Sequence, residues 1–220
     1  MLFDLMPKWT SEEYEDLLTG CLSTFNRNLS LLEYSNYEEG FWLRHDVELD
    51  IDSALLTAEI ECDLGIKASY FICFESPFIK CEDLANKLEV IKCFGHHLYC
   101  HLLDSPSREH KLKLFKNKYQ IISEDYVTYH SPTTPVSELV NLKGAGDIYR
   151  GLVNKDVSYF SDSTGKWRWG NPLIDEKEFK TVQILTHPFW WSKGKLYNSK
   201  TFDPKEIIDF LPQLAKANYF

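Results

Sequence analysis

The sequence predicts an α/β fold in which parallel strands alternate with helices. Short apolar runs recur along the 220 residues, and segments with helical periodicity lie between them. Strand–helix–strand alternation favours parallel strands joined by right-handed crossovers. In sheets and barrels of this kind, functional side chains collect at the carboxyl ends of the strands. Residues 1–220 are expected to form one domain, with a core at about 40–192 and flanking helices.

The predicted elements follow one another in a regular order. The first helix is expected after Thr10, because residues 10–13 (Thr-Ser-Glu-Glu) resemble a capping box ahead of periodic leucines. Strands are predicted at 41–47, 67–74, 97–103, 126–130, 157–161 and 181–186. Helices are predicted at 50–65, 84–95, 106–124 and 204–217.

Composition and charge narrow the classes of partner. Hydrophobic residues make up 44% of the chain and charged residues 26%, as in ordinary globular proteins. The net charge of −9 argues against nucleic acid or an anionic membrane surface as the main partner. No secretion signal is recognised at the start, and no stretch approaches the ~20 apolar residues of a membrane span. Together with six cysteines that form no CxxC pair, these features predict a cytoplasmic protein.

Acids and histidines stand at the carboxyl ends of the predicted strands. A polar residue at one strand end is expected in any fold, because loops are polar. A set distributed over successive strands instead favours one shared site. The set is Asp46, Glu48, His101, His130, Asp162 and His187.

Two of these carboxylates are expected to face the same point. Asp46 and Glu48 are two residues apart, so on a strand their side chains share a side. Two such carboxylates repel unless a cation or a shared proton intervenes. A divalent metal bound by Glu48 would resolve this, with Asp46 holding or deprotonating the attacking water. The alternative is an acid cluster that caps the following helix, since Asp50 and Asp52 come next.

The third predicted strand carries three histidines. By strand parity His97 and His101 share a face, and His96 points the other way. His101 lies nearest the carboxyl end of the strand and is the best candidate for a metal ligand. His96 is expected to have a structural role.

Several of these segments, in order, resemble a known family. Arg44-His45-Asp46-Val47-Glu48 is similar to the RHDVD strand of polysaccharide deacetylases, the NodB-type amide hydrolases of carbohydrate esterase family 4. Further similarities to the family run from about residue 40 to 192 in the order of its motifs. They comprise the helix, glycine turn and strand at 58–71, GHHLYCH at 95–101, YHSP at 129–132, YFSDS at 159–163 with WR at 167–168, and LTHP at 185–188.

The resemblance implies a distorted (β/α) barrel of seven strands and the metal-dependent removal of an acetyl group from an N-acetylated sugar. By position, Asp46 matches the catalytic base, and His187 matches the general acid that protonates the leaving amine. Asp162 and Arg168 match the segment that orients groups of the site. Ser131 stands where many relatives have an arginine, which would lower activity if that arginine orients the base.

The resemblance also implies a metal site in which Glu48 and His101 match ligands. Glu48 replaces an aspartate of the family, and the second histidine of the usual HxxxH pair would fall at Ser105. His130, at the end of the next strand, could supply the missing ligand. We infer this from the strand order and not from the family. A His-His-Glu set with an open position for water is a known pattern for hydrolytic zinc, so zinc is the expected ion.

Tryptophans near the strand ends are candidates for substrate binding. Trp167, Trp190 and Trp191, with Trp169, could stack on the apolar faces of a sugar ring, although each could instead pack in the core. Residues 188–191 (Pro-Phe-Trp-Trp) would be costly to expose without a purpose. At least one tryptophan is therefore expected near the mouth, and the expected substrate is an N-acetylated sugar or glycan precursor.

Two other functions remain open at this point. The chain could be a catalytically silent sugar-binding protein on the same barrel, because the departures at residues 48, 105 and 131 affect the site. It could also be a metal amidohydrolase that acts on a non-sugar amide. Metal analysis and a test of acetate release would separate the silent protein from the enzyme, and the tryptophan content favours a sugar over a non-sugar amide.

Overall fold

The computed structural model describes residues 9–79, 81–103, 107–130, 135–163, 165–167 and 169–192. Among them, all six predicted strands are present, with bounds that differ by a few residues. The predicted helix at 204–217 lies outside the described residues. The strands are β1 (Gly40–Val47), β2 (Ser69–Ile72), β3 (His97–Leu102), β4 (Val127–Tyr129), β5 (Ser158–Ser161) and β6 (Thr181–Thr186).

Helices surround the sheet. They are α1 (Ser11–Phe25), α2 (Leu31–Ser35), α3 (Ile51–Asp63), α4 (Leu84–Cys93), α5 (Arg108–Lys118), α6 (Val136–Leu139), α7 (Gly146–Asn154) and α8 (Pro188–Trp191), with a 3-10 turn at Pro77–Ile79. Helices α2, α6, α7 and α8 were not predicted. The signal for α2 was present, because Ser30 and Glu33 form a capping box. No described helix has the length and apolarity that a membrane crossing requires.

The sheet has the strand order of a barrel that is open at one place. Its order is β4-β3-β2-β1-β6-β5, and every neighbouring pair is parallel. Strands β1 to β4 are neighbours in chain order, and so are β5 and β6, while β6 pairs with β1. The two edge strands are therefore β4 and β5, and the opening lies between them. The described strands form a curled half-barrel of six strands. They do not include the seventh strand that the resemblance implied.

Capping residues fix where two of the predicted helices begin. The Thr10 hydroxyl accepts a hydrogen bond from the Glu13 backbone amide at 3.3 Å, as the sequence predicted for α1. Asp50 accepts from the backbone amides of Asp52 and Ser53 and caps α3. The capping alternative therefore applies to Asp50, but not to Asp46 at the end of β1 or to Glu48 just after it.

A buried polar cluster connects the sheet to the helices outside it. Glu61 of α3 is fully buried and accepts hydrogen bonds from Tyr14 of α1 at 2.5 Å and Tyr70 of β2 at 2.8 Å. His45 Nε2 lies 2.8 Å from the same carboxylate, and its Nδ1 lies 2.8 Å from the Thr186 hydroxyl. One carboxylate thus holds together β1, β2, β6 and two helices.

His96 completes this layer and has the structural position expected for it. Its Nδ1 accepts from the Ala68 backbone amide at 3.1 Å, and its Nε2 lies 3.0 Å from the Ala58 carbonyl oxygen. Both ring nitrogens are therefore close to backbone groups, one within α3 and one just before β2.

We expect Glu61→Gln to lower the free energy of unfolding by about 3–5 kcal/mol, because a neutral amide would face donors that now share one buried anion. Burial raises the pKa of Glu61, but His45, His96 and Tyr14 outweigh it and lower the pKa. The folded pKa lies below the unfolded one, so this stabilisation is present above pH ~4.3 and is lost as pH falls through the folded value.

Urea unfolding between pH 3 and 8 measures this loss. The exposed Glu59 on the same helix is the matched control, and Glu59→Gln should change stability by no more than ~0.5 kcal/mol. Equal effects of the two substitutions would contradict a special role for Glu61.

Candidate metal centre and acid–base site

Side chains from four strand ends surround one cavity. Its volume is about 340 Å³, and it lies at the carboxyl ends of the strands. The polar residues of the wall include five of the six that the sequence singled out, and the sixth, Asp162, lies directly behind His187. The predicted residues that line the cavity are Asp46, Glu48, His101, His130 and His187.

The metal-capable group consists of Glu48, His101 and His130. Glu48 Oε1 lies 2.9 Å from His101 Nε2 and 2.7 Å from His130 Nδ1. One ligand atom from each residue falls within 4.8 Å of the other two. Two imidazoles and one carboxylate at this spacing are a donor set that could hold a divalent metal ion, with a position left for water.

The neighbouring strand fixes the orientation of His101. His101 and Thr128 are partners in the pairing of β3 with β4, and the Thr128 hydroxyl lies 2.8 Å from His101 Nδ1. That contact occupies Nδ1 and leaves Nε2 directed at Glu48. A hydrogen bond to the second nitrogen of a histidine is the usual way in which a protein fixes a metal ligand.

The charges of the triad depend on one another. Burial raises the pKa of Glu48, but hydrogen bonds from His101 and His130 outweigh it and hold the pKa well below its usual range. Burial lowers the pKa of His130, but the Glu48 carboxylate outweighs it and raises the pKa. A metal must displace the proton from His130, so metal binding should weaken as the pH falls.

Arg44 fixes the position of Asp46. The Arg44 Nε donates to Asp46 Oδ1 at 3.0 Å, and Nη2 donates to Oδ2 at 2.6 Å. Both side chains are buried, so this is a two-pronged ion pair with little contact to water. Burial raises the pKa of Asp46, but Arg44, His101 and His187 outweigh it and lower the pKa. Asp46 is therefore an anion at neutral pH.

The pairing of Arg44 with Asp46 was not predicted, although its signal was in the sequence. The two residues are two positions apart on β1, so both point to the cavity, whereas His45 between them points to the helices. Arg44 also lies over the rings of Phe71 and Tyr149, 5.4 and 5.5 Å from their centroids.

His187 and Asp162 form a second ion pair beside the first, because β6 pairs with β1 and the register of His45 with Thr186 brings His187 next to Asp46. His187 Nδ1 lies 2.6 Å from Asp162 Oδ1, and the His187 backbone amide donates to both carboxylate oxygens. Burial lowers the pKa of His187, but Asp162 outweighs it, so the pKa rises to about 9. The imidazole is charged at neutral pH and lines the cavity.

The tryptophans divide between wall and core. Trp190 and the largely exposed Trp169 line the cavity. The predicted sugar stacking by Trp191 is wrong, because this side chain is 2% exposed, packs on Trp9 and donates from its indole nitrogen to Asp162 at 2.8 Å. Trp167 packs near Trp9 and Trp191 and is not among the described residues that line the cavity, so its role in sugar stacking stays a prediction.

Three residues that entered the sequence argument lie outside the described residues. Arg168 was expected to orient groups of the site, and Ser105 and Ser131 mark departures from the family pattern. In the described part of the site, Arg44 contacts the base candidate, and His130 joins Glu48 and His101 in the group that could hold a metal ion.

Loss of a residue that only supports a metal ligand usually weakens metal binding by about 10–100-fold. We expect His130→Ala to weaken zinc binding by more than this. The reason is that His130 contributes one of three ligand atoms. Isothermal titration with zinc measures the affinity, and circular dichroism checks the fold. His97→Ala is the matched control, because His97 is exposed at the opposite end of β3. Unchanged zinc affinity in His130→Ala would remove His130 from the site.

We expect the His187 imidazole to titrate near pH 9 in the metal-free protein, and Asp162→Asn to lower that pKa by about 1–3 units through loss of the negative charge. NMR of the histidine ring protons measures both values. Because the folded pKa lies above the unfolded value of about 6.5, the pair stabilises the fold fully below pH ~6.5. That contribution is lost as the pH rises through about 9. A wild-type pKa near 6.5 would contradict the pairing.

No protein-family model, curated protein or solved structure matches this chain. The resemblance to polysaccharide deacetylases therefore rests on the sequence motifs alone, and membership of that family stays a prediction.

Proposed function

We propose that the protein is a metal-dependent hydrolase that removes the N-acetyl group from a sugar or glycan precursor. The observation that carries the proposal is the arrangement of the cavity. A metal-capable triad, an anionic carboxylate and a positively charged imidazole line the same cavity, and the imidazole follows β6 beside the carboxylate of β1. Hydrolysis of an amide needs an activated water, a stabilised oxyanion and a proton for the leaving amine. The nature of the acyl group is inferred from the family resemblance.

Glu48, His101 and His130 would hold the metal. A zinc ion held by them would supply a Lewis acid beside the amide carbonyl and make a water in the cavity more acidic. The contribution of the chain is to keep three ligand atoms in place, with Thr128 orienting His101. Glu48 is ionised before the metal arrives, because its pKa is held low.

Asp46 would accept a proton from the attacking water. Each of its oxygens accepts one hydrogen bond from Arg44, and a carboxylate has about four acceptor positions, so positions remain for a water. Its low pKa makes Asp46 a weak base when it acts alone. Its action therefore depends on a water that is already acidic, which explains why the base lies next to the metal-capable triad.

His187 would donate the proton to the leaving nitrogen. An amine leaves poorly from the tetrahedral intermediate unless it is protonated. The raised pKa keeps the proton on His187 up to about pH 9, and the buried Asp162 stabilises the cation before transfer. Amide hydrolysis should therefore decline as the pH rises through this value.

The wall of the cavity fits a neutral, partly apolar ligand. Arg44 and His187 are each neutralised by a carboxylate, so they do not offer a free charge to an anionic ligand. The Trp190 and Trp169 side chains line the cavity. A sugar ring has apolar faces that can pack against such aromatic rings. A volume of about 340 Å³ lies in the range of small-molecule sites.

We expect the zinc-loaded protein to release acetate from N-acetylglucosamine or a short oligomer of it. Asp46→Asn should keep the metal and lose activity by roughly 10²-fold or more, because the general base is removed. An enzymatic acetate assay with metal analysis measures both quantities. Failure of the wild-type protein on acetylated sugars would contradict the proposal, and so would full activity of Asp46→Asn.

We expect His187→Ala to separate two substrates. Amide deacetylation should fall by roughly 10²–10⁴-fold, whereas hydrolysis of 4-nitrophenyl acetate should be largely retained, because its leaving group needs no proton. Initial rates on the two substrates give the comparison. Equal losses on both substrates would indicate a structural role for His187.

A further inference from the structure

Tyr149 of α7 lies at the open edge of the half-barrel. Its hydroxyl oxygen accepts from the Tyr129 backbone amide at 3.2 Å and lies 3.5 Å from the Tyr129 carbonyl oxygen. In a parallel strand, the N–H and C=O of one residue point to the same side, and those of the next residue point to the other side. The amide of the next residue, His130, donates to Leu102 of β3. Tyr129 therefore directs its backbone groups away from β3, towards the opening.

The same hydroxyl reaches the centre of the site. It lies 3.4 Å from Arg44 Nη2, and the Tyr149 ring lies under the guanidinium with its centroid 5.5 Å from Cζ. Arg44 in turn donates twice to Asp46. A single phenol thus contacts the edge of β4 and the cation that fixes the base candidate.

The position of Tyr129 in the chain makes this link relevant to the metal-capable triad. Tyr129 immediately precedes His130, whose Nδ1 lies 2.7 Å from Glu48. A shift of the β4 end moves His130, and a shift of Arg44 moves Asp46. Tyr149 itself is almost fully buried, so it is held in one place.

We propose that Tyr149 is a positioning residue that takes the place of a strand partner at the edge of β4 and sets the separation of His130 from Asp46. A phenol suits this task because its hydroxyl both donates and accepts hydrogen bonds. The consequence for catalysis rests on the proposed function. The consequences for the β4 edge and for metal affinity do not.

Tyr149→Phe tests the proposal, because it keeps the ring and removes only the hydroxyl. Tyr126→Phe is the matched control, since Tyr126 lies just before β4 and contacts the Tyr99 ring edge-on. We expect the Tyr129 amide proton to exchange faster in Tyr149→Phe, as its acceptor is lost. We also expect zinc affinity to fall by about 10–100-fold and kcat to fall more than KM changes. The control should show none of these effects.

The outcomes separate this proposal from the proposed function. Unchanged amide exchange and zinc affinity in Tyr149→Phe would overturn the positioning role. Unfolding of this variant would also overturn it, because the hydroxyl would then serve the fold as a whole. Faster exchange and weaker zinc binding in a protein that releases no acetate would support the role of Tyr149 and contradict the hydrolase.

Discussion

Charge compensation in a buried environment organises this structure. Among the described residues, four carboxylates are largely removed from water, and each has a basic partner close by: Asp46 with Arg44, Glu48 with two histidines, Glu61 with His45, and Asp162 with His187. An unpaired buried carboxylate would cost several kcal/mol. Each partner must therefore stay close to its carboxylate, and this requirement constrains the side chains of the cavity wall.

Three of these pairs face or support the cavity, and the differences among their partners suggest different tasks. A guanidinium cannot give up its proton, so Arg44 keeps Asp46 an anion without competing for the proton of a water. An imidazole can give up its proton, so the pairing with Asp162 charges His187 and leaves that proton available for transfer. Glu48 faces two imidazoles at once, and this arrangement can exchange protons for a metal ion. The fourth pair, at Glu61, lies outside the sheet and joins strands to helices.

The opening between β4 and β5 is the other feature on which the site depends. A closed barrel satisfies its edge strands by pairing, whereas an open one must satisfy them by other means. Here a side chain from α7 takes this place at Tyr129, and the same side chain contacts Arg44. Tyr149 therefore contacts both the edge of the sheet and the site.

Much of this arrangement followed from local patterns in the sequence. Apolar runs located the strands, capping residues located α1 and α3, and strand parity placed Asp46 and His101 on the cavity side. These features depend on neighbours in the chain, and so the sequence alone determined them. The meeting of Glu48, His101 and His130 also followed, because parallel strands bring their carboxyl ends to one edge.

Only the tertiary structure decided the features that depend on distances between remote segments. Trp190 and Trp191 are adjacent and chemically identical, yet one lines the cavity and the other packs on Trp9 and binds Asp162. No local pattern distinguishes them, because the difference arises from the direction in which α8 leaves β6. The same holds for Tyr149, whose partners lie 20 and 105 residues away. The curvature of the sheet and the opening between β4 and β5 likewise depend on how remote elements pack together.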